Sequence, residues 1–109
     1  MSDTMSQEQL EAVMGLIINA GNAKSDAMEA IQAAKEGNFD LAQEKLEAAD
    51  QALVEAHHSQ TGLLTEEAGG SPMTVTLLAV HSQDHLMTSI TFNDMAKEVV
   101  DLYKRIGNE

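Results

Sequence analysis

The chain has no cysteine and no tryptophan, a single proline, two Phe and one Tyr. Without cysteine there are no disulfides, no thiolate metal sites and no thiol nucleophile, which suits a reducing compartment. So few aromatic rings exclude the stacking platform that proteins use for bases or sugars. Basic residues are also scarce: six Lys+Arg stand against eighteen Asp+Glu, for a net charge of -12. Such a chain is a poor nucleic-acid binder and is repelled by anionic lipid, so its charge fits basic protein partners or simply solubility. No apolar run approaches the length of a membrane span, and no basic n-region precedes the first helical pattern. A cytoplasmic address without membrane insertion is expected. Phosphate-loop and nucleophile-elbow motifs are absent too: Gly69-Gly70 lacks the lysine of a P-loop, and GLIINAG falls within a helical pattern.

What is present is helical periodicity. The 109 residues suffice for one domain, 1–109, with a modest core. The spacing predicts an all-α antiparallel three-helix bundle over about 6–36, 39–68 and 72–106. Ser6 is the N-cap candidate of the first helix. Leu16, Ala20, Ala23, Ala27 and Ala30 form a stripe of small residues that lets a neighbouring helix come close. Gly37 supplies the left-handed residue that ends this helix, and Asn38 caps the next. The second helix carries Ala42, Leu46, Ala49, Leu53, Ala56, Leu63 and Leu64 on one face. Gly69-Gly70 breaks it, and Ser71 with Pro72 reads as the start of the third.

The third helix has more apolar face than a helical hairpin can cover. One stripe runs Leu78, His81, His85, Thr88, Phe92, Met95, Val99, Leu102, Ile106; a second runs Met73, Leu77, Val80, Asp84, Met87. That width predicts a packing face plus a subunit interface. Asp84 sits inside the second stripe with no Lys or Arg within a helical turn. A carboxylate there is either solvated, neutralised, paired or bound to a metal. If symmetry-related copies converge, their oxygen ligands suit Mg²⁺.

His81, Asp84 and His85 share one helical face, being three and four residues apart. His57 precedes the Gly69-Gly70 break by nearly the stretch by which His81 follows it. At about 1.5 Å per residue both lie roughly 17 Å from the turn. All four histidines of the chain are therefore expected at one height. Three readings compete. His81 and His85 chelate Zn²⁺ with a third ligand from the second helix, giving a metal-binding bundle without group transfer. Alternatively His81 is a nucleophile that takes up and passes on a phosphoryl group, with His85 as an auxiliary. In the third, the histidines are satisfied interface residues.

The segments GLIINAGNAKSDAMEAIQAAKEGNFDLA, EAHHSQTGLL and VHSQDHLMT resemble the IIA component of the lactose/N,N'-diacetylchitobiose (cellobiose) class of the bacterial sugar phosphotransferase system. The resemblance runs from about Gly15 to Tyr103. It implies a homotrimer of three-helix subunits around a threefold axis. It implies that His81 is the phosphoryl acceptor, that Asp84 matches the metal-binding position on the axis, and that His85 matches the second histidine near the active site. The implied cofactor is a divalent cation, Mg²⁺. The implied partners are the phosphocarrier HPr as donor, a IIB component as acceptor, and the chain's own copies. The transported sugar is then a β-linked disaccharide that this chain never needs to touch. Ser82 replaces an alanine common in the family, and the GGSP loop is short; neither departure touches His81 or Asp84.

Overall fold

The computed structural model describes residues 5–107 as three long helices: α1 (Gln7–Lys35), α2 (Phe39–Ala68) and α3 (Leu77–Gly107). The starts and stops of α1 and α2 follow from local chemistry. Ser6 Oγ accepts from the Gln9 N–H, and the Gln9 side chain accepts in turn from the Ser6 N–H. That reciprocal pair satisfies two of the orphan donors at the helix start. Gly37 ends α1 at φ 82°, with the Asn38 N–H bonded to Ala33 O at 2.9 Å and the Gly37 N–H to Ala34 O at 3.0 Å. This is a Schellman end, and it needs the left-handed conformation that glycine adopts at no steric cost. Asn38 Oδ1 then caps α2 through the Leu41 N–H. Gly70, at φ 96°, closes α2 by the same pattern, with Ser71 N–H bonded to Glu66 O at 2.9 Å.

The start of α3 differs from the expectation of Pro72. Residues 71–76 have no regular structure, and α3 begins at Leu77. Two causes are visible. The Ser71 N–H serves the end of α2, and its side chain does not cap α3; instead Thr76 Oγ1 accepts from the Ala79 N–H at 3.1 Å, while Thr76 O accepts from Val80 N–H. Thr74, Val75 and Thr76 are also β-branched in succession, which disfavours helix.

The core lies along the inner faces of the three helices in two clusters. One is built of small side chains, Ala23, Ala27, Ala30, Ala33 and Ala34 of α1 meeting Ala42, Leu46 and Ala49 of α2 and Ala96 and Val100 of α3. The other joins Val13, Leu16, Ala56, Leu63 and Leu86. Each fully buried Leu or Val there stabilises the fold by about 1.5–3 kcal/mol. Alanine seams let the helices approach closely, and the resulting body is a rod of 64 × 20 × 16 Å. Lys45 Nζ lies 3.1 Å from Glu29 Oε2 between α1 and α2. The hydrogen bond to Glu29, and then that carboxylate's charge, raise the lysine's pKa above its ordinary value. The pair is exposed and contributes little to stability.

Leu78 and Phe92 of the expected stripe pack against the core, but the fully buried face of α3 is a different one. Ala79, Ser82, Leu86, Ser89, Asn93, Ala96 and Val100 are buried, a strict alternation of three- and four-residue steps. The large apolar side chains point outward: Leu77 is 86% exposed, Val80 44% and Met87 53%, followed by Met95, Leu102 and Ile106. Small Ala79, Ser82, Ser89 and Ala96 alternate on this face with Leu86, Asn93 and Val100, and the bulky stripe is left without cover in the isolated chain.

Candidate functional site

The middle of α3 carries the three residues singled out by sequence. Ser82 and Leu86 are fully buried and fix the rotation of the helix. Their neighbours are thereby set in place: His81 and Asp84 are exposed, and His85 is half-buried. The two imidazoles stack, with ring centroids 5.6 Å apart and planes 19° from parallel. One turn of helix is what brings them together. His85 also leans on α1, where Gly21 leaves room for its Nε2. Thr88 Oγ1 donates to the backbone carbonyls of Asp84 and His85, at 2.9 and 3.3 Å. Lys24 of α1 and Thr88 border the same side of α3, in an open groove with Met87, Phe92 and Met95.

Asp84 lies on the uncovered apolar stripe between Val80 and Met87. Among the described residues no salt bridge engages it. Its carboxylate is a hard oxygen donor of the kind that suits Mg²⁺ or Ca²⁺. Among the described residues of a single chain no three His, Asp or Glu side chains come together as a metal site.

The helix-two histidines reach the expected height but face another way. Gln60 Nε2 donates to Gln83 Oε1 at 2.7 Å, and Asn93 Nδ2 donates to Asp50 Oδ1 at 2.8 Å. Those two rungs set His57 level with about Leu86. Yet His57 and His58 border a groove with Leu53, Ile90, Asn93 and Asp94, while His85 faces α1. The phase explains it: Ala56 is the buried position, so His57 and His58 turn progressively away from the core at about 100° per residue. The zinc-binding arrangement of His81, His85 and a helix-two histidine is therefore not assembled within the described residues of one chain.

Sequence reasoning missed the polar bridge Asp50–Asn93–Lys97. Asp50 Oδ1 takes both the Asn93 amide and, at 2.9 Å, the Lys97 ammonium. The signal was present: Ser82, Ser89 and Asn93 keep step with Ala79, Leu86 and Ala96. A recess of about 220 Å³ lies between the ends of α2 and α3, lined by Leu63, Leu64, Met73, Val75 and Val80 with Gln60, Glu67 and Gln83. Its lining is mostly apolar.

An exposed imidazole with a second imidazole stacked against it is chemically suited to nucleophilic group transfer. The comparisons make the class specific. Residues 11–104 match the family described as "PTS system, Lactose/Cellobiose specific IIA subunit". The chain is 47% identical over 105 residues to the lichenan-specific phosphotransferase enzyme IIA component of Bacillus subtilis (strain 168), covering 96% of each. The crystal structure of the PTS cellobiose-specific enzyme IIA from Bacillus anthracis superposes with a TM-score of 0.92 at 42% identity, over 99% of both chains. The IIA(chitobiose) chain of an Escherichia coli IIA(Chitobiose)–HPr complex superposes with a TM-score of 0.81 at 41% identity, over 94% of this chain and 99% of that one. The chain belongs to the lactose/cellobiose-specific IIA family of the sugar phosphotransferase system, and is a phosphoryl-carrying component of it.

Proposed function

We propose that His81 is the phosphoryl acceptor, loaded by HPr and discharged to a IIB component during uptake of a β-linked disaccharide. The observation that carries this is the exposure of His81 on α3, backed by the stacked His85 ring, inside the segment HSQDH. In the loading step the Nε2 lone pair attacks phosphorus, the bond from phosphorus to the donor breaks, and His81 keeps its proton on Nδ1. In the unloading step the Nε2–P bond breaks as a bond forms to a cysteine thiolate of IIB. The solved complex of the chitobiose relative with HPr supports the choice of donor. A net charge of -12 favours a basic partner surface. The relatives' names, lichenan, cellobiose and chitobiose, support a β-linked disaccharide and leave its identity open.

The working unit is a cytoplasmic homotrimer of single-domain subunits. The uncovered stripe Leu77, Val80, Met87, Met95, Leu102 and Ile106 is its interface, since an apolar face of that length is stable in water only when covered. Asp84 falls within that stripe, and its copies would hold a divalent cation, Mg²⁺ by donor chemistry. The ion supplies charge compensation for carboxylates that otherwise repel one another. A test follows the phosphoryl group onward. Protein loaded from phosphoenolpyruvate, enzyme I and HPr should pass radiolabel to a IIB component of this class. Label that stays on the chain, or that reaches IIB equally well through H81Q, overturns the proposal.

A further inference from the structure

Gly21 lies in the interior of α1, where glycine weakens a helix relative to alanine. Its backbone does not require glycine, because the positive-φ glycines are Gly37 and Gly70. Nor does its setting favour glycine in general: Ala20 and Ala23 beside it are fully buried, so a methyl group is the ordinary side chain of this stretch. The reason is space for one atom. A Cβ on Gly21 would lie 3.3 Å from His85 Nε2 and meet nothing else within 4 Å. The other glycines inside α1 and α2 are unlike it. A Cβ on Gly15 would make an ordinary 3.7 Å contact with Ser59 Oγ, and one on Gly62 would meet nothing.

We propose that Gly21 is a positioning residue of the phosphoryl-accepting site: the missing side chain forms the recess that seats His85, and His85 so seated holds the His81 ring. The inference rests on the reading of His81 as acceptor. The path is one of direct contacts. His85 directly precedes the fully buried Leu86 on α3, and to admit a methyl on α1 its ring must give by a few tenths of an ångström. The displaced ring is the one stacked on His81, whose centroid is 5.6 Å away, so the shift is passed to the acceptor ring. A carrier histidine must present one nitrogen in line with an incoming phosphorus, and small misplacements of reacting groups cost rate steeply.

The test is a cycle of G21A, H85A and the double variant, with G15A as control, all read by phosphoryl uptake from phospho-HPr and by imidazole NMR of the unloaded protein. G21A should load about tenfold more slowly, with shifted His85 and His81 ring resonances, while G15A matches wild type. In the H85A background the added methyl should change nothing, because its effect passes through the ring. Equal loading by G21A and wild type, or losses that simply add in the double variant, overturns the proposal. If G21A melts early, G21A/H85A must recover the H85A melting temperature, and failure to recover overturns it as well. Should wild-type protein take no phosphoryl at all, the functional reading fails by itself. The ring resonances then decide the contact: shifted signals in G21A uphold it, unshifted ones refute it.

Discussion

Leu86→Ala separates the packing face of α3 from its apolar face. Leu86 is 0% exposed and packs with Val13, Leu16, Ala56 and Leu63. Truncation removes three carbons, about 2.4 kcal/mol at 0.8 per buried CH₂. Long helices tied by Ala-rich seams cannot collapse fully around the gap, so a cavity term adds to this and the total reaches about 3–4 kcal/mol. For a domain of this size that lowers the melting temperature by on the order of 15 °C. The comparison is Met87→Ala, one residue on, at a side chain 53% exposed. If Met87 is covered only by other copies of the chain, its truncation acts through association, and its cost depends on protein concentration. Urea denaturation over a range of protein concentrations distinguishes the two. Leu86→Ala should lose about the same 3–4 kcal/mol at every concentration, and Met87→Ala chiefly where copies associate. A loss below about 1 kcal/mol for Leu86→Ala would refute the assignment of that face to the core.

Other expectations follow from particular contacts. Asp84→Leu should leave an oligomer whose sedimentation no longer responds to EDTA, because an apolar axis has no carboxylate repulsion to offset; a monomer would argue against Asp84 on the axis. Asp50→Ala leaves the 2% exposed Asn93 amide without its partner. It should cost about 1–3 kcal/mol in denaturant titration, and an unchanged midpoint would show that the bridge is idle. Glu29→Gln should bring the Lys45 pKa down toward its ordinary 10.5, read by NMR titration of the lysine. Since the folded value is raised, any stability from this pair is fully present at neutral pH and lost only as pH rises through the folded pKa. A Lys45 titration unchanged in Glu29→Gln contradicts the assigned cause.

The helices were legible because their ends are written in local chemistry. Ser6, Gly37 with Asn38, and Gly69-Gly70 all act where their residue types suggest. Ser71-Pro72 misled because the same Ser and Pro that start a helix also suit the chain leaving one, and the β-branched run Thr74–Thr76 decided between them. The facing of α3 was legible in part: Leu78 and Phe92 of the expected stripe pack against the core, while the buried row Ser82, Leu86, Ser89, Asn93 was missed, for a physical reason. Hydrophobicity marks what must be covered, not what covers it; here the bulky stripe is outside and Ser82, Ser89 and Asn93 lie inside, matched in size to the alanines opposite. That His81, Asp84 and His85 lie together on α3 was legible from their spacing, and the stack of His81 on His85 follows from it. The approach of Gly21 to His85 was not, since it depends on which residue of α1 comes opposite His85, a matter of three-dimensional register.

Phosphoryl uptake at His81 can be read directly from the mass of the protein. Purified protein and H81Q should be incubated with phosphoenolpyruvate, enzyme I and HPr, and their intact masses recorded before and after acid. The account predicts one acid-labile phosphoryl-sized gain in the wild type and none in a folded H81Q. No gain in the wild type, or an equal gain in H81Q, contradicts it.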